Sequence, residues 1–446
     1  MNRRELHLNI NILNAGFHGA AWRMPSSDPA AFVDVQHYVA AARIAERGTF
    51  DAVFLADTPC FADRPEYRPY QALEPTIVLA TIAAATERIG LIGTASSTYN
   101  DPYNLARRFA TLDLASGGRV GWNVVTTADS GAARNFGFDN VTAHRDRYER
   151  AAEFSQVVKA LWDSWEDGAL VGDKATGLFV DVAHVHPIEH VGRYFKVRGP
   201  LNVPRSAQGR PVLIQAGGSE DGRNLAALHA EAIFSVAQTE AEGLEFTQDV
   251  RTRAKRIGRT DPIVFLPGLA TMIGSTEAEV RRREQDLWEK LPTGYALARV
   301  AGLLQIDPAR LELDEPMPAD LTLPEHGMQT FAAATLRVAR RDGLTVRQLL
   351  RRLGGSTGHR LLAGTPEQTA DDIERWFVSG AADGFNLMPD VLPEGLETFV
   401  DHVVPLLRQK GIFRHEYAGR TLRDHFGLGR PDSCFAIRGH TAAPAA

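Results

Sequence analysis

IGLIGTASSTYNDPYNLARRFATLDLASGGRVGWNVVT, Ile89 to Thr126, holds one full turn of the pattern that decides the fold. Ile89 to Thr94 is a short apolar run. Pro102 to Ser116 is amphipathic and long enough for a helix, and Arg119 to Thr126 is apolar again. Short runs that are apolar on both faces read as parallel strands buried under helices. The same alternation continues in both directions. Leu6 to Leu13 and Phe50 to Ala56 precede this unit, with helix-length stretches at Asp28 to Arg47 and Glu74 to Thr86. Pro211 to Ala216, Ala232 to Val236, Ile263 to Met272 and Gly384 to Met388 follow it, which makes eight strands in all. Eight β-then-α units predict a (β/α)8 TIM barrel with right-handed crossovers. A doubly wound open sheet produces a similar pattern and stays open as the competing α/β fold.

A barrel needs about 250 residues, and this chain has 446. The surplus falls in two stretches that break the alternation, about 164–210 and about 276–360, and in a tail at 427–446. Both inserts are expected above strand C-terminal ends, where a barrel keeps its active site, as substrate wall and cover. The second has charged, Leu-rich flanks around a Pro-rich centre, DEPMPADLTLPEH. It is expected to form two groups of helices and a partly ordered cover. The rest, residues 1–425, is read as one barrel.

Composition narrows the function. Hydrophobic residues make up 44% and charged residues 23%, ordinary globular values. The formal net charge is −6, against the basic excess of a nucleic-acid binder. The two cysteines, Cys60 and Cys434, are far apart, which argues against thiolate metal sites and a disulfide framework. No apolar stretch reaches the roughly 18 residues of a membrane span. The start, MNRRELHLNINILNAG, alternates like a strand and does not read as a signal peptide. A cytoplasmic protein is expected. No G-x-G-x-x-G follows a strand, and neither a P-loop nor a G-x-S-x-G elbow occurs, so no nicotinamide, nucleotide or serine-hydrolase signature is present.

Several residues carry possible chemistry. QAGGSEDGR, Gln215 to Arg223, follows a strand and opens a helix. Gly217 and Gly218 permit close backbone approach and Ser219 is a good N-cap, so the turn is either an anion site or a plain capped turn. His144 and Tyr148 lie four apart and share a helix face, fit to donate hydrogen bonds or simply half exposed. Asp57, Thr94 and Asn123 end or nearly end successive strands, where barrel side chains reach the active site. HVHPIEH, His184 to His190, has metal-like spacing but sits in a mid-chain insert. Trp22 either lines the substrate side or packs on the rim.

The stretch Leu73 to Thr126, together with AARNFG (Ala132 to Gly137), His144 to Trp165 and Gly199 to Arg223, resembles the flavin-dependent monooxygenases of the bacterial-luciferase-like superfamily. Within that group it resembles the branch containing nitrilotriacetate monooxygenase component A and dibenzothiophene-sulfone monooxygenase. The resemblance implies a barrel that binds FMN at its C-terminal face through Asp57, Thr94, Asn123, His144, Tyr148, Gly218 and Ser219. In it, Ser219, Tyr148 and the Gly218 backbone would hold the phosphate, with His144 near the phosphate and ribityl chain. Thr94 and Asn123 would meet the ribityl chain or ring, and Asp57 the ring side. It further implies a separate NAD(P)H:flavin reductase that supplies FMNH2, O2 as co-substrate, and a small amine- or sulfur-containing substrate. A homodimer or homotetramer is expected, without metal, nucleic acid or membrane partner. No side chain stands out as an obligatory base; His144 is the candidate proton carrier. The alternatives are a deazaflavin-dependent oxidoreductase of the same superfamily and, from HVHPIEH, a metal-dependent hydrolase on the same fold.

Overall fold

The computed structural model describes residues 4–62, 65–324, 328–354 and 358–436. Its eight central strands are β1 (His7–Asn11), β2 (Ala52–Leu55), β3 (Gly90–Ser96), β4 (Val120–Val125), β5 (Val212–Ala216), β6 (Ala232–Ser235), β7 (Val264–Ile273) and β8 (Gly384–Pro389). All neighbours are parallel, in the order β6-β5-β4-β3-β2-β1-β8-β7, and β6 also pairs with β7. The sheet therefore closes, which decides for the (β/α)8 barrel and against the open doubly wound sheet. The ring of helices includes α1 (Val35–Arg47), α2 (Pro75–Ala85), α3 (Pro102–Ala115), α4 (His144–Trp162), α5 (Glu220–His229), α6 (Glu240–Arg256) and α7 (Pro366–Ser379). The helix expected from Asp28 divides, because Asp28 and Asp34 each cap their own start. A short 3-10 turn, Pro29–Phe32, precedes α1.

Strand alternation sorts side chains between two cores. Leu8, Ile10, Leu91, Trp122, Val124, Phe385 and Leu387 point outward and pack under the helices. Ala52, Phe54, Ile92, Val212, Ile214, Val264 and Leu266 fill the barrel's interior together with Leu422, Phe426 and Leu428. The last three come from the end of the chain and seal the N-terminal end. A Cβ on Gly90, the first residue of β3, would come within 2.5 Å of Leu422 Cδ1, so glycine there admits the plug. The chain stays docked beyond it: Arg430 pairs with Asp167, and Phe435 stacks on His186 at 5.0 Å. Of the tail, 437–446 lies outside the described residues.

Only one of the two inserts rises over the C-terminal mouth. The stretch 164–210 follows a helix, not a strand, so it leaves α4 at the barrel's opposite end. There Ser206 bonds Asp113 at 2.5 Å and Gln208 donates to Val120 O at 2.8 Å. It carries two small hairpins, Leu170–Asp173 with Leu178–Val180 and His190–Val191 with Lys196–Val197, and the second climbs the outside of α4, where Arg193 pairs with Glu149. Tyr194 and Phe195 anchor the second hairpin to α4 by donating their backbone N–H groups to Glu153.

The stretch 276–360 follows β7 and does rise from the mouth. Helices Glu277–Lys290, Thr293–Leu304, Gln329–Arg341 and Val346–Leu353 bracket the Pro-rich centre. They share an apolar core that includes Leu291, Tyr295, Val300, Leu336 and Leu349. The stretch thus folds as a cap with an apolar core of its own. Residues 325–327 and 355–357 of this stretch lie outside the described residues. Strand Arg360–Gly364 returns along β7 and joins the cap to the barrel. Among the described residues no helix is long and apolar enough to cross a membrane.

Candidate active site

Above the apolar plug the barrel's interior turns polar. Asn9 and Asn11 alternate with Leu8 and Ile10, Asn123 lies between Trp122 and Val124, and Asn386 between Phe385 and Leu387, so all four face inward. Thr94 and Asn123 stand in register on β3 and β4, and Asn123 Nδ2 donates to Thr94 Oγ1 at 2.9 Å. The remaining groups have no protein partner: Asn9 Oδ1, Asn11 Oδ1, Asn123 Oδ1 and both amide atoms of Asn386 are buried and unbonded. Each such group costs about 1–3 kcal/mol unless something polar meets it. A core built only for stability would carry aliphatic residues here. The N-x-N alternation in HLNINIL was a readable signal of this layer.

The Gly217–Ser219 turn caps the end of β5, the strand beside Asn123. Ser219 Oγ accepts the N–H of Gly222 at 3.2 Å and starts α5. That leaves its own O–H free to donate to an anion. A Cβ at Gly217 would lie 2.6 Å from Gln215 Nε2, which would have to move, and 3.4 Å from Tyr148 Oη, so Tyr148 stands at the turn. His144 packs on Tyr148 with ring centroids 4.7 Å apart, and its Nδ1 is 2.9 Å from Asp221 Oδ2 in the first turn of α5. Two helix starts, α4 and α5, thus converge with two hydroxyls and one imidazole. Backbone N–H groups at a helix start suit phosphate. The cap reaches here too: Gly218 N donates to Thr330 Oγ1 at 3.3 Å.

Asp57 stands apart from both groups, just beyond β2. Burial pushes its carboxyl up to about 6, with help from the charge of Glu74 and against that of Arg108. Two histidines, the buried His18 and the half-buried His359, complete the mouth, and neither stood out in the sequence. His18 is held neutral, down at about 3, by burial and by the charge of Arg68. Its Nδ1 accepts the N–H of Ala20, so the proton sits on Nε2. Burial holds His359 down at about 3 as well; it stacks on Phe234 of β6 and meets Phe331 of the cap edge-on. Trp22 is a rim residue: it packs with Ala21, Met272, Leu287 and Val391, and its Nε1 donates to Tyr67 O at 3.0 Å. In the His-rich segment, His186 bonds Glu166 at 2.6 Å while His190 bonds Glu153. Among the described residues no group of three or more His, Cys, Asp or Glu is arranged to hold a metal ion.

A closed (β/α)8 barrel with an unsatisfied polar lumen, an anion-ready turn after β5 and a helical cap after β7 is the framework of an enzyme that encloses a polar cofactor. The family is that of the luciferase-like monooxygenases: its profile matches residues 15–383, and the chain belongs to it. Nitrilotriacetate monooxygenase component A of Aminobacter aminovorans is 44% identical, covering 97% of this chain and 98% of that protein. Dibenzothiophene-sulfone monooxygenase of Rhodococcus erythropolis (strain XP) is 41% identical, over 96% and 98%. Among solved structures, a riboflavin lyase described with modified FMN and riboflavin is 34% identical, has a TM-score of 0.83, and covers 94% of this chain and 95% of that one. The chain is therefore a monooxygenase of this family, which sets aside the metal-dependent hydrolase.

Proposed function

We propose that this protein is the oxygenase component of a two-component system. It takes FMNH2 from a separate NAD(P)H:flavin reductase and, with O2, oxygenates a small amine- or sulfur-containing substrate. The observation that carries the reading is the pairing of the Gly217–Ser219 turn with a layer of unpartnered amides inside the same barrel mouth. A phosphate fits the turn, and a polyhydroxylated chain with a polar ring fits the amides. The name of the relative from Aminobacter, a component A, and the FMN of the solved lyase support it.

In this reading Ser219 Oγ, Tyr148 Oη and the N–H of Gly218 hold the phosphate, and His144 sits near phosphate and ribityl chain. Thr94 and Asn123 meet the ribityl chain or ring, and Asp57 the ring side. Bound reduced FMN supplies the electrons that activate O2 for transfer of one oxygen atom. The chain's own residues bind, orient and exclude water, with the cap as the wall of the substrate cavity. A cytoplasmic location and a homodimer or homotetramer belong to the same proposal. Purified protein should quench FMN fluorescence on binding and turn over only with an added reductase. Robust NAD(P)H oxidation by the chain alone, or no FMN binding, overturns the reading.

A further inference from the structure

Arg68 lies on the loop after β2, directly over the lumen. Its Nη2 donates to Phe17 O at 3.2 Å, and Phe17 packs on Ala270 of β7 and Met388 of β8. Arg299 descends from the cap helix Thr293–Leu304, close enough for the two like charges to oppose one another. Tyr295 ties the pair together: it hydrogen-bonds Arg68, and the Arg299 guanidinium lies 5.9 Å from its ring centre. Among the described residues neither arginine has a carboxylate partner, and Arg299 Nε is buried with no hydrogen bond. Other buried arginines are met either by acids, Arg360 by Asp372, Arg414 by Asp51 and Arg423 by Glu231, or by backbone carbonyls, as Arg119 is by Ile89 O and Arg147 by Thr126 O. The ring of Tyr67, the residue before Arg68, packs on Tyr295 at 5.7 Å, so the two half-buried guanidinium groups share one neighbourhood without an acid, which is costly. Burial and the neighbouring charge of Arg299 pull Arg68 down to about 10, which still leaves it cationic at neutral pH.

We infer that Arg68 and Arg299 form a carboxylate-binding subsite between loop and cap, so that the substrate is a small organic acid. The inference rests on the reading of the mouth as a flavin and substrate site, and it deepens that reading. The planar guanidinium fork matches a carboxylate, and two forks suit a substrate with one or two of them. FMN phosphate is accounted for elsewhere, at the turn after β5. The arginines stand on the β2 side and on the cap, which leaves the anionic end of the substrate anchored under the cap and its amine or sulfur end directed into the barrel.

The test uses the full-length protein with succinate, tricarballylate and iminodiacetate as probes, each compared with its methyl ester by calorimetry. FMN affinity is measured in parallel. At least one acid should bind more tightly than its ester. Arg299→Gln should weaken that binding about tenfold or more, and Arg68→Lys, which keeps the charge but loses the fork, by less. FMN affinity should stay within about twofold in both variants. Acids that bind no better than their esters, acid affinity unchanged in Arg299→Gln, or FMN affinity falling in step with acid affinity would each overturn the subsite. Absence of FMN binding in the wild type with acid binding intact would instead overturn the flavin reading.

Discussion

The two ends of the barrel treat polar groups in opposite ways. At the N-terminal end two deep charge clusters are closely matched. Asp51 accepts from the Leu8 N–H at 2.7 Å and Arg414 Nη2 at 2.7 Å, and lies 2.9 Å from His7 Nδ1. Arg423 forks onto both oxygens of Glu231. At the C-terminal end Asn9, Asn11, Asn123 and Asn386 keep unbonded atoms, and Arg68 and Arg299 lack acids among the described residues. The same strands serve both ends, so the contrast is not one of fold quality. Matched polar groups seal the floor and stabilise; unmatched ones at the mouth are held ready for a ligand.

The contrast is broken most directly at the floor. Asp51 is fully buried, and although burial alone would raise its carboxyl, the charges of Arg414 and His7 hold it at about 2. Asp51→Asn should cost about 3 kcal/mol, the low end of what breaking a buried pair costs, because Arg414 loses its buried partner and keeps only the more exposed Glu5. Urea unfolding measures this. A depressed carboxyl contributes above its unfolded pKa of about 3.9 and loses that contribution as pH falls toward 2. The gap between wild type and variant should therefore hold at neutral pH and narrow below about pH 4. FMN affinity of the folded variant should not change; a large change would mean that floor and mouth are coupled.

At the mouth the same kind of loss should appear in binding. Ser219→Ala removes a hydroxyl proposed to donate to phosphate, worth about 1.5–3 kcal/mol. FMN should bind roughly tenfold to a hundredfold more weakly and riboflavin about as before. Loss of the cap on α5 costs stability as well, about 1 kcal/mol, which a melting curve separates from the affinity change. Equal weakening of both flavins would remove Ser219 from the phosphate.

What was legible in the sequence follows the same division. The eight strands and the Gly217–Ser219 turn were readable because local periodicity and turn chemistry encode them. Thr94 and Asn123 were readable because a strand's end fixes where its side chains arrive. The expected place of 164–210 above a strand's end does not hold, because the stretch leaves a helix and enters a strand, so it begins and ends at the floor. Arg68, Arg299, Thr330 and His359 were not legible. They reach the mouth through long loops and a cap whose packing depends on Tyr295, Phe331 and other distant partners, and no spacing in the chain announces that.

Asp57 sharpens the comparison at smaller scale. Its carboxyl is raised to about 6 by burial, reinforced by Glu74, where Asp51 is lowered by partners. A raised carboxyl favours folding below its unfolded pKa, and that contribution is lost as pH rises through about 6. Asp57→Asn should therefore stabilise the protein at about pH 8 and make little difference at about pH 4. Partial exposure screens the effect, so about 1 kcal/mol is expected. Thermal melts at the two pH values check the sign. A variant less stable at pH 8 would mean that the ionised carboxylate has a stabilising partner.

The smallest effect lies where cap and turn meet. Gly218 N–H, which the phosphate would need, already donates to Thr330 Oγ1 at 3.3 Å. A ligand at the turn must exchange that bond for its own, so part of its gain is spent. Thr330→Val keeps the shape and removes the acceptor. The free N–H is then left for the phosphate alone, and a neutral hydrogen bond of this kind nets about 0.5–1 kcal/mol. FMN should bind about two- to fivefold more tightly to Thr330→Val, while riboflavin, lacking the phosphate, should be unaffected. The sign is opposite to that at the floor, where removing a partner only weakens. Weaker FMN binding in the variant would show that Thr330 supports the turn instead of competing for it, and that the cap helps to build the phosphate site.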